Sequence, residues 1–226
     1  MEHLPIDIYI VFVLGTITTL WLLYKATHYS KWVMIITLLW LALQSAISLS
    51  GFYTVTSGVP PRFALLLMPP AVLVMALFFI KKSLRAIDSF DVKILTLLHV
   101  VRILVELVLY GLHLYKVIPL VMTFEGRNFD ILCGLTAPLI WYFGYVKPIL
   151  NKRVLLAWNV ICLLLLANIV VTAVLSAPLP FQRLAFDQPN IALFYFPFVW
   201  LPGFIVPAVF FAHLVSIRRL LKAKSN

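Results

Sequence analysis

Five polar residues, His99, Arg102, Glu106, Tyr110 and His113, interrupt a strongly apolar run at successive spacings of 3, 4, 4 and 3. A helix repeats every 3.6 residues, so these spacings place all five on one face. At about 1.5 Å per residue the stripe is about 21 Å long, roughly two-thirds of a hydrocarbon layer about 30 Å thick. A charged side chain at the centre of a membrane helix costs about 2.5 to 3.5 kcal/mol on insertion scales. The stripe is therefore expected to face a bundle interior or a wet cavity. Chemically, Glu106 is a group that can titrate, Arg102 can tune it or hold an anion, and the two histidines can pass protons. The competing structural reading is an Arg102–Glu106 ion pair, four residues apart, that neutralises itself and ties its helix to neighbours.

Secondary candidates lie on other segments. Gln44 and Ser48 share a face of the second apolar run, and Asn159 and Asn168 sit on the sixth; polar residues of this kind also glue membrane helices. Glu125 and Arg127 lie in a short polar segment next to the outer end of the stripe and could form a vestibule. Asn128 and Asp130 in the same segment are expected to cap the following helix. His213 could approach His99 as a pair for a metal or haem, although no spacing selects this, and no metal or cofactor motif is present. Cys133 and Cys162 have no ligand spacing and are expected to be buried, unpaired thiols.

The elements that carry these residues follow from composition. The 226-residue chain is 63% hydrophobic and only 12% charged, far from the roughly 25% charged of soluble domains. Apolar runs long enough to cross a bilayer occur at 6–24, 32–53, 63–80, 92–115, 129–146, 154–175 and 191–214. The expectation is an all-α, single-domain bundle of about seven spans over residues 1–226. Thirteen of the 18 basic residues fall on one side of that arrangement: Lys25, Lys31, Lys81, Lys82, Arg85, Lys93, Lys147, Lys152, Arg153, Arg218, Arg219, Lys222 and Lys224. By the positive-inside rule the amino terminus is then outside and the carboxyl terminus cytoplasmic. Glu2 and Asp7, with no nearby Lys or Arg, argue against a cleaved leader. Tyr24 and Trp32 at one boundary, and Tyr53 and Tyr115 at the other, read as interfacial anchors. Pro69 and Pro70 interrupt the third apolar run, and Pro197, Pro202 and Pro207 the seventh; kinked packing is the expectation for both, with broken helices that expose ion-binding backbone groups as the alternative. The Pro-rich segment from Ser176 to Asn190 is expected to be an ordinary loop.

The charge of +10 lies in clusters at the ends of apolar runs, which excludes a nucleic-acid face. The last run has no lysine for a retinal Schiff base. No intramembrane aspartate supports an aspartyl protease, and serine-elbow, zinc-peptidase, phosphate-loop and dinucleotide motifs are absent. The expected partners are the lipid bilayer and a small solute or protons, in what is most simply a bacterial plasma (inner) membrane. Two further expectations stand beside this one. An enzyme acting on a lipid or quinone-like substrate would use Glu106 and His113 as acid and base. A non-catalytic subunit or assembly factor would pair the stripe with another protein's helix.

Overall fold

The computed structural model describes residues 4–58 and 60–222; the leading residues with Glu2, and Lys224 of the basic cluster, lie outside the described residues. The protein is 72% helical, with no strand among the described residues. Its helices are α1 (Ile6–Ala26), α2 (Lys31–Leu49), α3 (Ala64–Leu77), α4 (Lys81–Ser89), α5 (Val92–Leu98), α6 (Val101–Leu114), α7 (Ile131–Trp141), α8 (Lys152–Leu175) and α9 (Val206–Lys222). Wide π-helical turns extend α7 at its end, Tyr142–Val146, and α9 at its start, Leu201–Ile205.

Four helices are long and apolar enough to cross a membrane: Ile6–Ala26, Lys31–Leu49, Lys152–Leu175 and Leu201–Lys222. A fifth candidate is the pair α3 and α4, bent by 91°. Ile131–Val146 is apolar but shorter, about 24 Å at the helical rise. Large apolar side chains such as Ile36, Leu39, Leu164 and Phe79 are more than half exposed, a surface suited to acyl chains and not to water. These features fit an integral membrane protein. Helix α9 is the central element, packing on α8 and α5; 56% of its apolar window is buried, against 17% for α2 at the periphery.

Hydrogen bonds between segments define two ends. At one, the Asp91 amide donates to the Ala26 carbonyl, His28 Nε2 lies 2.8 Å from the Ser89 carbonyl oxygen, and Arg218 Nε donates to Asp88 Oδ1 at 2.9 Å. This is the basic end. At the other, the loop end, the amides of Ile191 and Ala192 donate to the Val117 carbonyl, and Ser48 Oγ donates to that of Phe194.

Several boundaries differ from the sequence reading, each for a local reason. Helix α3 runs through both Pro69 and Pro70, and the sharp bend of the third span comes after Leu77, where the chain turns into α4. Prolines persist in membrane helices where the freed carbonyls find other partners. The seventh span begins later than Ile191: residues 192–200 form short turns, and regular helix starts only after Pro202. The fourth span is interrupted at His99–Val100, where three-residue hydrogen bonds, including Arg102 N to the His99 carbonyl, replace the α pattern. Tyr53 is not an interfacial anchor. It is 1% exposed, and its hydroxyl donates to Gln44 Oε1.

Candidate functional site

The break between α5 and α6 sets His99 at the head of α6, and Arg102 and Glu106 follow on its inward face; all three are buried. Their partners come from other helices. Arg102 Nη1 lies 3.1 Å from Asp130 Oδ1, in an ion-pair contact off the line of a hydrogen bond. Its Nη2 lies 3.1 Å from His213 Nε2, and Nη1 also donates to the Cys162 carbonyl at 3.4 Å. One guanidinium therefore joins α6, α7, α8 and α9.

Arginine has no acceptor atoms, so His213 Nε2 must accept. Its proton then sits on Nδ1, which faces Asn159 Oδ1 at 3.0 Å, while Asn159 Nδ2 donates to the Leu155 carbonyl. His99 stacks on His213 with ring centres 3.9 Å apart, and Trp158 meets the His99 ring edge-on at 5.4 Å. Both ring nitrogens of His99 lack a hydrogen-bond partner. His213 and His99, for which no spacing selects a pairing, thus meet as stacked rings. Among the described residues, no group of three or more His, Cys, Asp or Glu side chains is disposed to hold a metal ion.

The Arg102–Glu106 ion pair does not form. Glu106 instead accepts at Oε1 from Asn128 Nδ2 at 2.5 Å, and its Oε2 has no partner among the described residues. Asn128 is aimed by its own loop: Nδ2 also donates to the Met122 carbonyl at 3.1 Å, and Oδ1 accepts the Asp130 amide at 3.1 Å. The sequence Thr123–Asp130 folds this way because Thr123 Oγ1 donates to the Leu120 carbonyl and the amides of Gly126 and Asn128 donate to the carbonyl of Thr123. At Gly126 any Cβ would run into the Leu120 carbonyl oxygen. Gly134 brings α7 against α6 beside the guanidinium: a Cβ there would lie 2.8 Å from Ile103 Cγ1 and 3.3 Å from Arg102 Cβ.

Asp130 was expected to cap α7 and was not counted as an intramembrane aspartate. Its side chain caps nothing, is 5% exposed, and turns inward to Arg102. The charge of Arg102, once buried, demands a carboxylate, and here Asp130 at the start of α7 supplies it. Asn128 likewise serves Glu106. The signal in the sequence was the surplus of cation-seeking acid beside a lone intramembrane arginine.

Among the described residues, Glu106 and Asp130 are the only polar ones lining a cavity with about 60 Å³ of room for water-sized molecules. The remaining walls are apolar, among them Phe63 and Leu67 of α3, Val105 and Leu109 of α6, and Ile169 and Ala173 of α8. A water needs roughly 10 to 15 Å³ of such room, so a few-atom group fits. Helices α3 and α8 scarcely contact each other here, leaving the cavity between them.

The other candidates are placed elsewhere. Tyr110 packs on Phe124 with ring centres 5.0 Å apart, near Glu125. His113 faces the Ile118 carbonyl and Gln188 Nε2 at 3.1 and 3.0 Å; Gln188 lies in the 176–190 segment, which folds back over the bundle. His113 is not among the residues that line the cavity at Glu106. Arg127 and Glu125 are exposed, and the Arg127 carbonyl accepts from the exposed Asn168. Gln44 is committed to Tyr53. Cys133 and Cys162 are buried free thiols in contact with each other. Within the stripe, Arg102 Nε, Glu106 Oε2 and both ring nitrogens of His99 have no hydrogen-bond partner among the described residues. Comparisons with protein-family models, with curated proteins and with solved structures find no match for this chain.

Proposed function

We propose that this is a seven-span protein of a bacterial plasma membrane, amino terminus outside, which binds a small solute or a proton at Glu106 and moves it across the bilayer. In this reading α5 and α6 form one span, and α7 with its π turn forms another. The basic end, gathering α1, α4 and the end of α9, is cytoplasmic by the positive-inside rule. The cavity then lies in the outer half of the bundle.

The observation that carries the reading is a pair of buried carboxyls in an otherwise apolar cavity, only one of which has a guanidinium partner. A packed helix bundle has no need of a free carboxyl oxygen, since an unpaired buried polar atom costs about 1 to 3 kcal/mol. Such a cavity with a few convergent polar groups is the default form of a binding site. Glu106 Oε2 is available to a proton or to the donor group of a solute with an apolar body. The two compete for the same oxygen, which is the physical basis for exchanging one for the other.

Arg102 divides the polar column. It remains protonated, so protons cannot hop through it from the carboxyls to the His213–Asn159 pair, and a fixed guanidinium also repels a cation moving inward. Passage therefore requires Arg102 to shift, and its links to α7, α8 and α9 are the contacts that such a shift would exchange. The test is uptake into liposomes containing the protein and a trapped pH indicator, under an imposed proton gradient, repeated with small labelled amines. Faster entry than in empty liposomes, lost in Glu106→Gln, supports the reading. Equal entry for parent, variant and empty liposomes with every probe contradicts it.

A further inference from the structure

Helix α4 is nine residues long and lies at 91° to α3, so it runs along the membrane plane if α3 crosses it. At the elbow Phe79 and Ile80 are 80% and 52% exposed. Lys81, Lys82 and Arg85 follow, all exposed and none with an acidic partner among the described residues. Lys81 and Arg85 are four residues apart and share a face, with heads separated along the axis by about 6 Å.

The helix is tied to the bundle through Ile87, on the face opposite Arg85, and through Asp88, which lies three residues beyond Arg85 on the cations' side. Ile87 is buried, and Asp88, the one acid of α4, is drawn to Arg218, with Lys222 and Arg219 closing on the same residue. That clamp, together with His28 on the Ser89 carbonyl, sets the roll of the helix. The local acid is engaged by α9, and Lys81, Lys82 and Arg85 remain exposed, next in sequence to two side chains suited to acyl chains.

We propose that the α3–α4 elbow is a docking surface for the headgroups of anionic phospholipids in the leaflet at the basic end. The charge complementarity is to phosphodiester oxygens, and the exposed Phe79 and Ile80 select a lipid over a free anion, since only a lipid offers both chemistries at this depth. This surface stands independently of the Glu106 cavity. By holding α4 it would also hold α9, through Asp88, and α9 carries His213.

The test is retention of lipid by the detergent-purified protein, read by native mass spectrometry during titration with phosphatidylglycerol or phosphatidylcholine. Each surface cation is worth roughly five-fold in affinity for an anionic bilayer. The combined Lys81→Gln, Lys82→Gln, Arg85→Gln variant should therefore lose phosphatidylglycerol affinity by on the order of 100-fold, while Lys147→Gln with Arg153→Gln loses far less. Should the triple variant fail to fold, the parent alone decides: phosphatidylglycerol must be preferred and its retention must fall in high salt. Equal retention of the two lipids, or unchanged retention in the triple variant, overturns the proposal. So does displacement of phosphatidylglycerol by millimolar inorganic phosphate, which would mark a soluble-anion site.

Discussion

Replacing Asp130 by leucine leaves the Arg102 guanidinium 2% exposed with no counter-charge. Its contacts to His213 and the Cys162 carbonyl remain, so the loss is that of the ion pair. Orphaning one member of a buried pair costs about 3 to 5 kcal/mol. Arg102→Leu orphans Asp130 by a similar amount and also leaves His213 Nε2 without a donor, a further cost of about 1 to 3 kcal/mol. In the double variant no charge is orphaned, and only the His213 deficit of about 1 to 3 kcal/mol should persist. The two singles together therefore far exceed the double, with a coupling of at least about 3 kcal/mol. The same cycle built on Arg102 and Glu106 should show coupling of about 1 kcal/mol or less, the range of charges that do not meet as a pair. Reversible unfolding in mixed micelles, followed by tryptophan fluorescence, measures both cycles. Stronger coupling of Arg102 to Glu106 than to Asp130 would refute the assignment of partners, and Asp130→Leu as stable as the double variant would refute the burial argument.

Gly126→Ala forces a Cβ onto the Leu120 carbonyl; overpacking of this kind costs about 1 to 3 kcal/mol, and the loop that aims Asn128 must move. Thermal unfolding should show the loss, and an unchanged midpoint would mean that the loop yields freely. The Arg218 guanidinium beside Asp88, aided by Lys222, holds that carboxyl at about 2, below the ordinary carboxylate range. A depressed carboxyl stabilises above its unfolded value near 4 and ceases to as pH falls through about 2. Hydrogen exchange at residues 81–89 should thus stay slow down to pH 4 and accelerate only in stronger acid, whereas Asp88→Asn should exchange fast throughout. The same rates in variant and parent would show that the clamp does not hold α4.

The apolar runs, their order and the single polar stripe were legible in the sequence because burial of charge in hydrocarbon is costly wherever it occurs. Helix ends were less so: α3 continues through Pro69 and Pro70, and α9 starts at Val206, fifteen residues after the start of its apolar run at Ile191, because carbonyls freed by proline find partners that local sequence does not reveal. Within the stripe, His99, Arg102 and Glu106 gather at the core of the bundle, while Tyr110 and His113 belong to the loop end. Spacing puts residues on a face, but only tertiary packing says what each meets. Asp130 shows this best. Its position at the start of α7 looks like that of a cap, and only the arrival of α6 beside Gly134 makes it the partner of Arg102.

The most direct measurement is labelling of the protein in lipid nanodiscs with a hydrophobic carbodiimide, to which protonated carboxyls reached from the hydrocarbon add, followed by peptide mass spectrometry. Glu106, whose Oε2 has no hydrogen-bond partner among the described residues, should carry the adduct; Asp130, held by Arg102, should not, and Glu106→Gln should abolish the label without unfolding the protein. Labelling confined to exposed acids such as Glu125, or an unlabelled Glu106 at every pH, would contradict a titratable, reachable site at Glu106.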